Sequence, residues 1–237
     1  MSVSGASAML VLMGKTNETL GAVLIAAMLT AGFAAPAVAR TAHDTKTDRA
    51  GLLHIEDNAE AVAEGEKLGS AAAAAAHAAV MGWPAVRATL ARNGTAPVEL
   101  TTADRAIGTL ARDTTAGTHL RRDANEVTGA LAALFTRAGD PVPADVHRLD
   151  YLGRSVSIDV RTGDWNRALR DDRELQTRWK TLRPHILLRP HGVTNAAAFD
   201  AAVQRLTTAI EARRVDAALT AVGNIGDGVD ALEKLYA

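Results

Sequence analysis

The chain has 237 residues, no cysteine, 3% aromatic residues and a formal net charge of −1 from 26 basic and 27 acidic side chains. The missing cysteine excludes disulfide scaffolds, thiolate zinc sites, iron–sulfur clusters, c-type haem attachment and cysteine nucleophiles. The balanced charge argues against a nucleic-acid binder that neutralises phosphates, and an alanine-rich, aromatic-poor composition favours helix over sheet.

Thr19 to Ala39 carries no charge, and Leu20-Gly-Ala-Val-Leu-Ile-Ala-Ala-Met-Leu29 reads as the apolar region of a secretory signal. Ala37-Val38-Ala39 is the small-x-small pattern that a signal peptidase cuts, just after the breakers Gly32 and Pro36. Residues 1–39 are therefore expected to be a signal peptide. The mature chain would then start at Arg40 in the periplasm, with Met13 as a second candidate start. The rival reading makes 19–39 an uncleaved inner-membrane anchor, since about 20 apolar residues can span a bilayer.

In the mature chain, a polar leader, Thr41 to Arg49, precedes an alanine-dominated helical run from Ala59 to Met81. Gly82-Trp83-Pro84 is expected to interrupt it, with Pro84 in the first turn of a new helix ending at Asn93-Gly94. A helix from Thr101 to Asp113 follows. Then Leu120, Ala124, Val127, Leu131, Leu134 and Ala138 form a seam at alternating spacings of four and three. Gly139-Asp-Pro-Val-Pro143 is the clearest punctuation and divides an N-terminal helical half, 40–138, from a C-terminal half, 139–237. Asp140 is expected to cap the next helix, Ala144 to Val160. Asp164 is expected to cap the one bearing Trp165, Leu169, Leu175 and Trp179. Leu182 to Asn195, with Pro184 and Pro190, reads as the longest connection. Two helices close the chain, marked by Phe199, Val203, Leu206 and Ile210, and by Ala218, Val222, Ile225, Val229, Leu232 and Tyr236. Strand content should be near zero. The expected fold is an all-α antiparallel up-and-down helical bundle. An echo of Gly82-Trp83 at Gly163-Asp-Trp165, and of Asp104, Ile107 and Leu110 at Asp200, Val203 and Leu206, raises duplicated hairpin halves as an option.

The stretch Phe199-Asp-Ala-Ala-Val-Gln-Arg-Leu-Thr-Thr-Ala-Ile, with Val215-Asp-Ala-Ala-Leu and Leu235-Tyr236, resembles the last helical hairpin of the soluble periplasmic b-type cytochrome bundle. The resemblance implies an exported bundle. Glu233 stands where that family's haem-ligating histidine would be, and no methionine lies between Arg40 and Val80, so the ligands are lacking. Asp140-Pro-Val-Pro143, Arg148-Leu-Asp-Tyr-Leu-Gly-Arg154 and Gly163-Asp-Trp165 together resemble a group of exported bacterial helical-bundle proteins, which implies a fold and a compartment but no activity.

The chemistry-bearing residues form two groups. Arg148, Asp150, Tyr151 and Arg154 decorate one helix and are the candidate ligand or partner face; a buried Tyr151 hydroxyl there would need a partner. Asp150 with Arg154, Arg170 with Glu174, and Glu174 with Arg178 have the spacing of solvated helix pairs. His77, His119, His147, His185 and His191 are candidate metal ligands if helices bring them together, although none pairs at i, i+3 or i+4. Two Arg-Pro-His triplets, at Arg183 and Arg189, read as a helix stop or as a site for an anion or a soft metal. No nucleophile elbow, phosphate loop or paired metal motif is present in the mature sequence. The function expected is a non-enzymatic exported protein that binds a partner protein or small ligand, with no cofactor and no nucleic acid, and with membrane contact only through an uncleaved N-terminus. The alternative is a metal- or haem-binding bundle for sensing or storage.

Overall fold

The computed structural model describes residues 42–65, 69–113 and 119–236; the signal-peptide and anchor readings of 1–39 lie outside the described residues. Eight helices are described: α1 (Ala42–Ala63), α2 (Gly69–Arg92), α3 (Pro97–Asp113), α4 (Leu120–Arg137), α5 (Ala144–Thr162), α6 (Trp165–Leu187), α7 (Gly192–Glu211) and α8 (Val215–Glu233). No strand occurs among the described residues, and the protein is an all-α helical bundle. None of the described helices is long and apolar enough to cross a membrane.

The helices pack as two rings. In the first, α1 packs on α2, α2 on α3, α3 on α4, and α4 returns to α1; α5 to α8 repeat this order, and α4 against α5 joins the rings. Each ring has its own apolar core. One core runs from Leu52 to Ala138 and includes fully buried Phe135; the other runs from Val142 to Tyr236 and includes fully buried Phe199. The changeover falls at the Gly139–Pro141 turn, where Gly139 takes φ +73. All described helices belong to one compact unit, Val38–Ala237.

Local details depart from the sequence pattern where tertiary contacts override it. The alanine run is two helices rather than one: α1 ends before Gly65 at φ +80, and α2 begins at Gly69 at φ +54. From Ala42 on, the polar leader lies inside α1, and two of its side chains are engaged. Asn93 donates to Asp48 at 2.6 Å, and Arg49 donates to Asp140 at 3.0 Å. That contact also explains why Asp140 does not cap α5. Its other oxygen accepts from the Val142 N–H, and the N-cap position falls to Pro143. Asp164 does cap α6, accepting from the Arg167 N–H at 3.1 Å.

Pro84 and Pro184 sit inside α2 and α6 instead of ending them. A proline costs its helix one hydrogen bond and a steric clash. In both cases a side-chain clamp beside it holds the chain on course. Trp83 Nε1 donates to Asp104 at 2.8 Å and Arg87 Nε to the same carboxylate at 2.7 Å. Trp179 Nε1 donates to Asp200 at 2.7 Å, and Arg183 binds both of its oxygens. The partners are 21 and 17 residues apart in both clamps. Trp83 thus corresponds in role to Trp179, not to Trp165. Because α6 continues to Leu187, the expected long connection shrinks to residues 188–191.

Candidate functional site

Glu56 and Glu60 of α1 and Glu64 of the turn that follows it recur every fourth residue, so three carboxylates line up on one face. Like charges so placed destabilise a helix unless something opposes them. The opposing charge is Arg154 of α5, 7% exposed. Its Nη2 lies 3.0 Å from Glu60 and its Nη1 3.4 Å from Glu64, while Nη1 also binds Asp150 one turn earlier on α5. From α4, Asn125 Oδ1 accepts from Arg154 Nε at 3.1 Å and Thr128 Oγ1 from Nη2 at 3.3 Å. All donor nitrogens of the guanidinium are therefore engaged, as a buried arginine requires. The Asp150–Arg154 pair has the i, i+4 spacing expected, but it is the centre of a buried network and not a solvated pair.

Burial opposes the charge on Arg154, but Asp150, Glu60, Glu64 and Glu56 outweigh it and hold the guanidinium ionised. The carboxyls respond in the opposite direction. Burial, with Asp150 and Glu64 nearby, raises Glu60 to about 8 despite the pull of Arg154. Burial and then Glu60 push Glu56 well above the carboxylate range. On α8, burial and then Asp150 raise Glu233 to about 7. Near neutral pH the cluster thus holds protons that exposed carboxylates would have lost.

His147 lies at the edge of this cluster. Its ring stacks on Phe135 with centroids 4.4 Å apart, and its nitrogens face Glu56 at 3.7 Å and Asp140 at 3.9 Å. Both distances exceed a hydrogen bond, and Nε2 is buried with no partner. Burial lowers the proton affinity of the imidazole, the two aspartates Asp140 and Asp150 acting against it.

Beside Arg154 the surface opens into a cleft of about 530 Å³, within the size range of small-ligand sites. α1 contributes Glu60 and Ala63, and the turn after it Glu64; α5 contributes Asp150, Gly153, Arg154, Ser157 and Arg161. The third wall, α8, presents Leu219, Val222, Gly223, Ile225, Gly226, Asp227 and Asp230. Two of its glycines give the cleft room, because a Cβ added at Gly223 or Gly226 would meet nothing within 4 Å. Gly228, on the same helix, serves packing: a Cβ there would come within 2.7 Å of Phe199.

The four α5 residues singled out from sequence divide between two sides of the helix. Asp150 and Arg154 line the cleft. Arg148 and Tyr151 face α4, where Arg148 donates to the Gly129 carbonyl at 2.8 Å and lies 5.1 Å from the Tyr151 ring centroid. The Tyr151 hydroxyl finds its partner in Glu126 at 3.2 Å. The five histidines are not brought together. His147 is buried, whereas His77, His119, His185 and His191 are exposed, and among the described residues no group of three or more His, Asp or Glu is placed to hold a metal. In the two Arg-Pro-His triplets the arginines are used structurally: Arg183 binds Asp200, and Arg189 lies 4.1 Å above the Tyr236 ring. Of the pairs on α6, Glu174 with Arg178 forms at 3.1 Å, and Arg178 also reaches Asp145.

Residues not anticipated from sequence are Glu56, Glu60, Glu64, Asn125, Thr128, Asp227 and Asp230. For the three glutamates the available signal is the acidic i, i+4, i+8 spacing along α1 and the turn after it, a pattern that calls for a cation opposite; Asn125, Thr128, Asp227 and Asp230 carry no such signal. Compared with known protein families, curated proteins and solved structures, the chain matches none.

Proposed function

We propose that this protein is a non-enzymatic, exported binding protein that holds a small ligand in the cleft between α1, α5 and α8. The observation that carries the reading is the cleft itself: a small-molecule-sized recess whose polar wall is fixed by the buried Arg154 network. Such a wall is pre-organised. Each side chain is held by a neighbour, so little ordering is needed when a ligand arrives. In the same reading the two rings descend from one antiparallel four-helix unit, which the matched Trp-Arg-Asp clamps support.

Catalysis is the second reading, and one observation favours it. Glu60 keeps its proton to about 8 beside Asp150, the kind of carboxyl pair that acid–base chemistry uses. Binding is preferred because Arg154 pins both carboxyls. Ser157, the hydroxyl of the cleft, accepts from Arg161 at 3.4 Å.

The test is a thermal-shift screen of small metabolites on the wild type and on Gly226→Leu, whose new side chain projects into open space. Ligands that stabilise the wild type and not the variant support the reading; a screen without such ligands refutes it. N-terminal sequencing of the protein recovered from its native host tests export, with a start at Arg40 expected.

A further inference from the structure

We propose that a groove walled by α3, α4, α5 and α6 binds an alkyl monocarboxylate, with the carboxylate on Arg148 and the chain on a floor of alanines. The groove measures about 310 Å³, at the lower end of small-ligand sites. It shares no lining residue with the cleft between α1, α5 and α8, and is a second, independent site. α3 and α4 belong to one ring and α5 and α6 to the other, so the groove lies along the α4–α5 joint.

Arg148 is half-buried and held in place. Its Nη1 donates to the Gly129 carbonyl at 2.8 Å, and its guanidinium lies 5.1 Å from the Tyr151 ring centroid. Both contacts depend on Gly129, because a Cβ there would come within 2.7 Å of the Tyr151 ring and 3.0 Å of Nη1. Yet Arg148 makes no ion pair among the described residues, and its Nε and Nη2 donate to no acceptor there. The carboxylates nearby have donors of their own: Arg137 holds Glu99 at 3.0 Å, Arg178 holds Asp145 at 3.1 Å, and the Tyr151 hydroxyl meets Glu126 at 3.2 Å. Nε together with Nη2 is the edge on which this protein seats carboxylates elsewhere. Arg137 grips Glu99, and Arg183 grips Asp200, through those two nitrogens. A guanidinium so fixed and so unmatched selects a planar, two-oxygen monoanion.

The rest of the lining suits a hydrocarbon body. Val98 of α3, Ala130, Ala132 and Ala133 of α4 and Ala144 of α5 present methyl groups, and Val98 is 72% exposed. The other polar side chains of the groove are already engaged: Glu99, Asp145 and Arg178 in their ion pairs, and Thr102 through its hydroxyl, which donates to the Val98 carbonyl at 3.2 Å. A sugar or a nucleotide would have to compete for those groups, whereas methylene groups gain by leaving water for the alanine floor.

The test is isothermal titration of the folded protein with octanoate at neutral pH. The expected result is saturable one-site binding with a dissociation constant of about 1 mM or below. Acetate, which lacks the chain, and octyltrimethylammonium, which reverses the charge, should each bind roughly tenfold or more weakly. Arg148→Gln should weaken octanoate by roughly tenfold. Ala133→Leu fills the groove from an exposed position; it should cause a loss of about the same size while circular dichroism and melting temperature stay in place. Gly226→Leu, in the cleft, should bind octanoate as the wild type does. The proposal is overturned if octanoate shows no saturable binding up to roughly 5 mM, if either control ligand binds as tightly, or if Arg148→Gln or Ala133→Leu retains wild-type affinity. Should Arg148→Gln fail to fold, Ala133→Leu decides. Octanoate binding that is lost in Gly226→Leu and kept in Ala133→Leu refutes the groove and leaves cleft binding standing.

Discussion

Replacing Glu60 with glutamine isolates the proton stored in the cluster. In the folded protein Glu60 holds its proton to about 8 through burial, against an ordinary value of 4.5. Its carboxyl shares a hydrogen bond with Asp150, and its Oε1 lies 3.0 Å from Arg154 Nη2. A glutamine amide reproduces both contacts, so the variant should match the wild type near pH 5, where Glu60 is already neutral when folded. The sign of the pH effect follows from the raised value. Stability from this group is fully present below the unfolded pKa and is lost as pH rises toward the folded one. Each pH unit in that window is worth about 1.4 kcal/mol. Discounting for the 28% exposure of the side chain, the wild type should lose about 2–3 kcal/mol more than the variant between roughly pH 5 and pH 7.5. In urea, with a slope of about 2–3 kcal/mol per molar, that is a midpoint gap of about 1 M opening in favour of the variant. Parallel stability profiles for the two proteins across this range would refute the buried-proton account.

Arg154→Met should be among the most damaging substitutions, costing about 3–5 kcal/mol in equilibrium unfolding, because it leaves Glu60 and Asp150 without their cation. Two of the α8 glycines should respond with opposite sign. Gly226→Ala gains up to about 1 kcal/mol from helix propensity, while Gly228→Ala loses about 1–3 kcal/mol as its Cβ meets Phe199, both read by thermal melts. Asp104→Ala and Asp200→Ala each remove the acceptor of a buried tryptophan N–H. Each should cost about 1–3 kcal/mol, and the double variant should cost their sum, because the clamps belong to separate cores.

The helical nature of the chain was legible because its apolar residues recur at helical spacing, and the seam from Leu120 to Ala138 is one example. Helix ends were less so. The break near Gly65 hides inside alanine-rich sequence that propensity alone would join, and Pro84 and Pro184 stay helical only because a tryptophan and an arginine are clamped to a distant aspartate. The site was half legible. Asp150 and Arg154 stood out as a pair, but whether such a pair is solvated or buried depends on what lies across from it. What lies across is Glu60 and Glu64, 90 residues away from Arg154 in the latter case. No local pattern on α5 announces them. The convergence of histidines fails for a related reason: His77 and His185 stand on outward helix faces, a matter of helix phase, and His119 and His191 are exposed in the connections that precede α4 and α7.

The seam between the rings has a mechanical consequence for the cleft. Asn125 of α4 bridges to Ser155 and to the Tyr151 carbonyl of α5, and Arg122 reaches Asp159 at 2.6 Å. These are directional bonds, so they set an angle of docking as well as a contact. The cleft takes α1 from one ring and α5 and α8 from the other. Its mouth is therefore a gauge of that angle, and an occupant touching all three helices would act as a latch, resisting any rocking of one ring on the other.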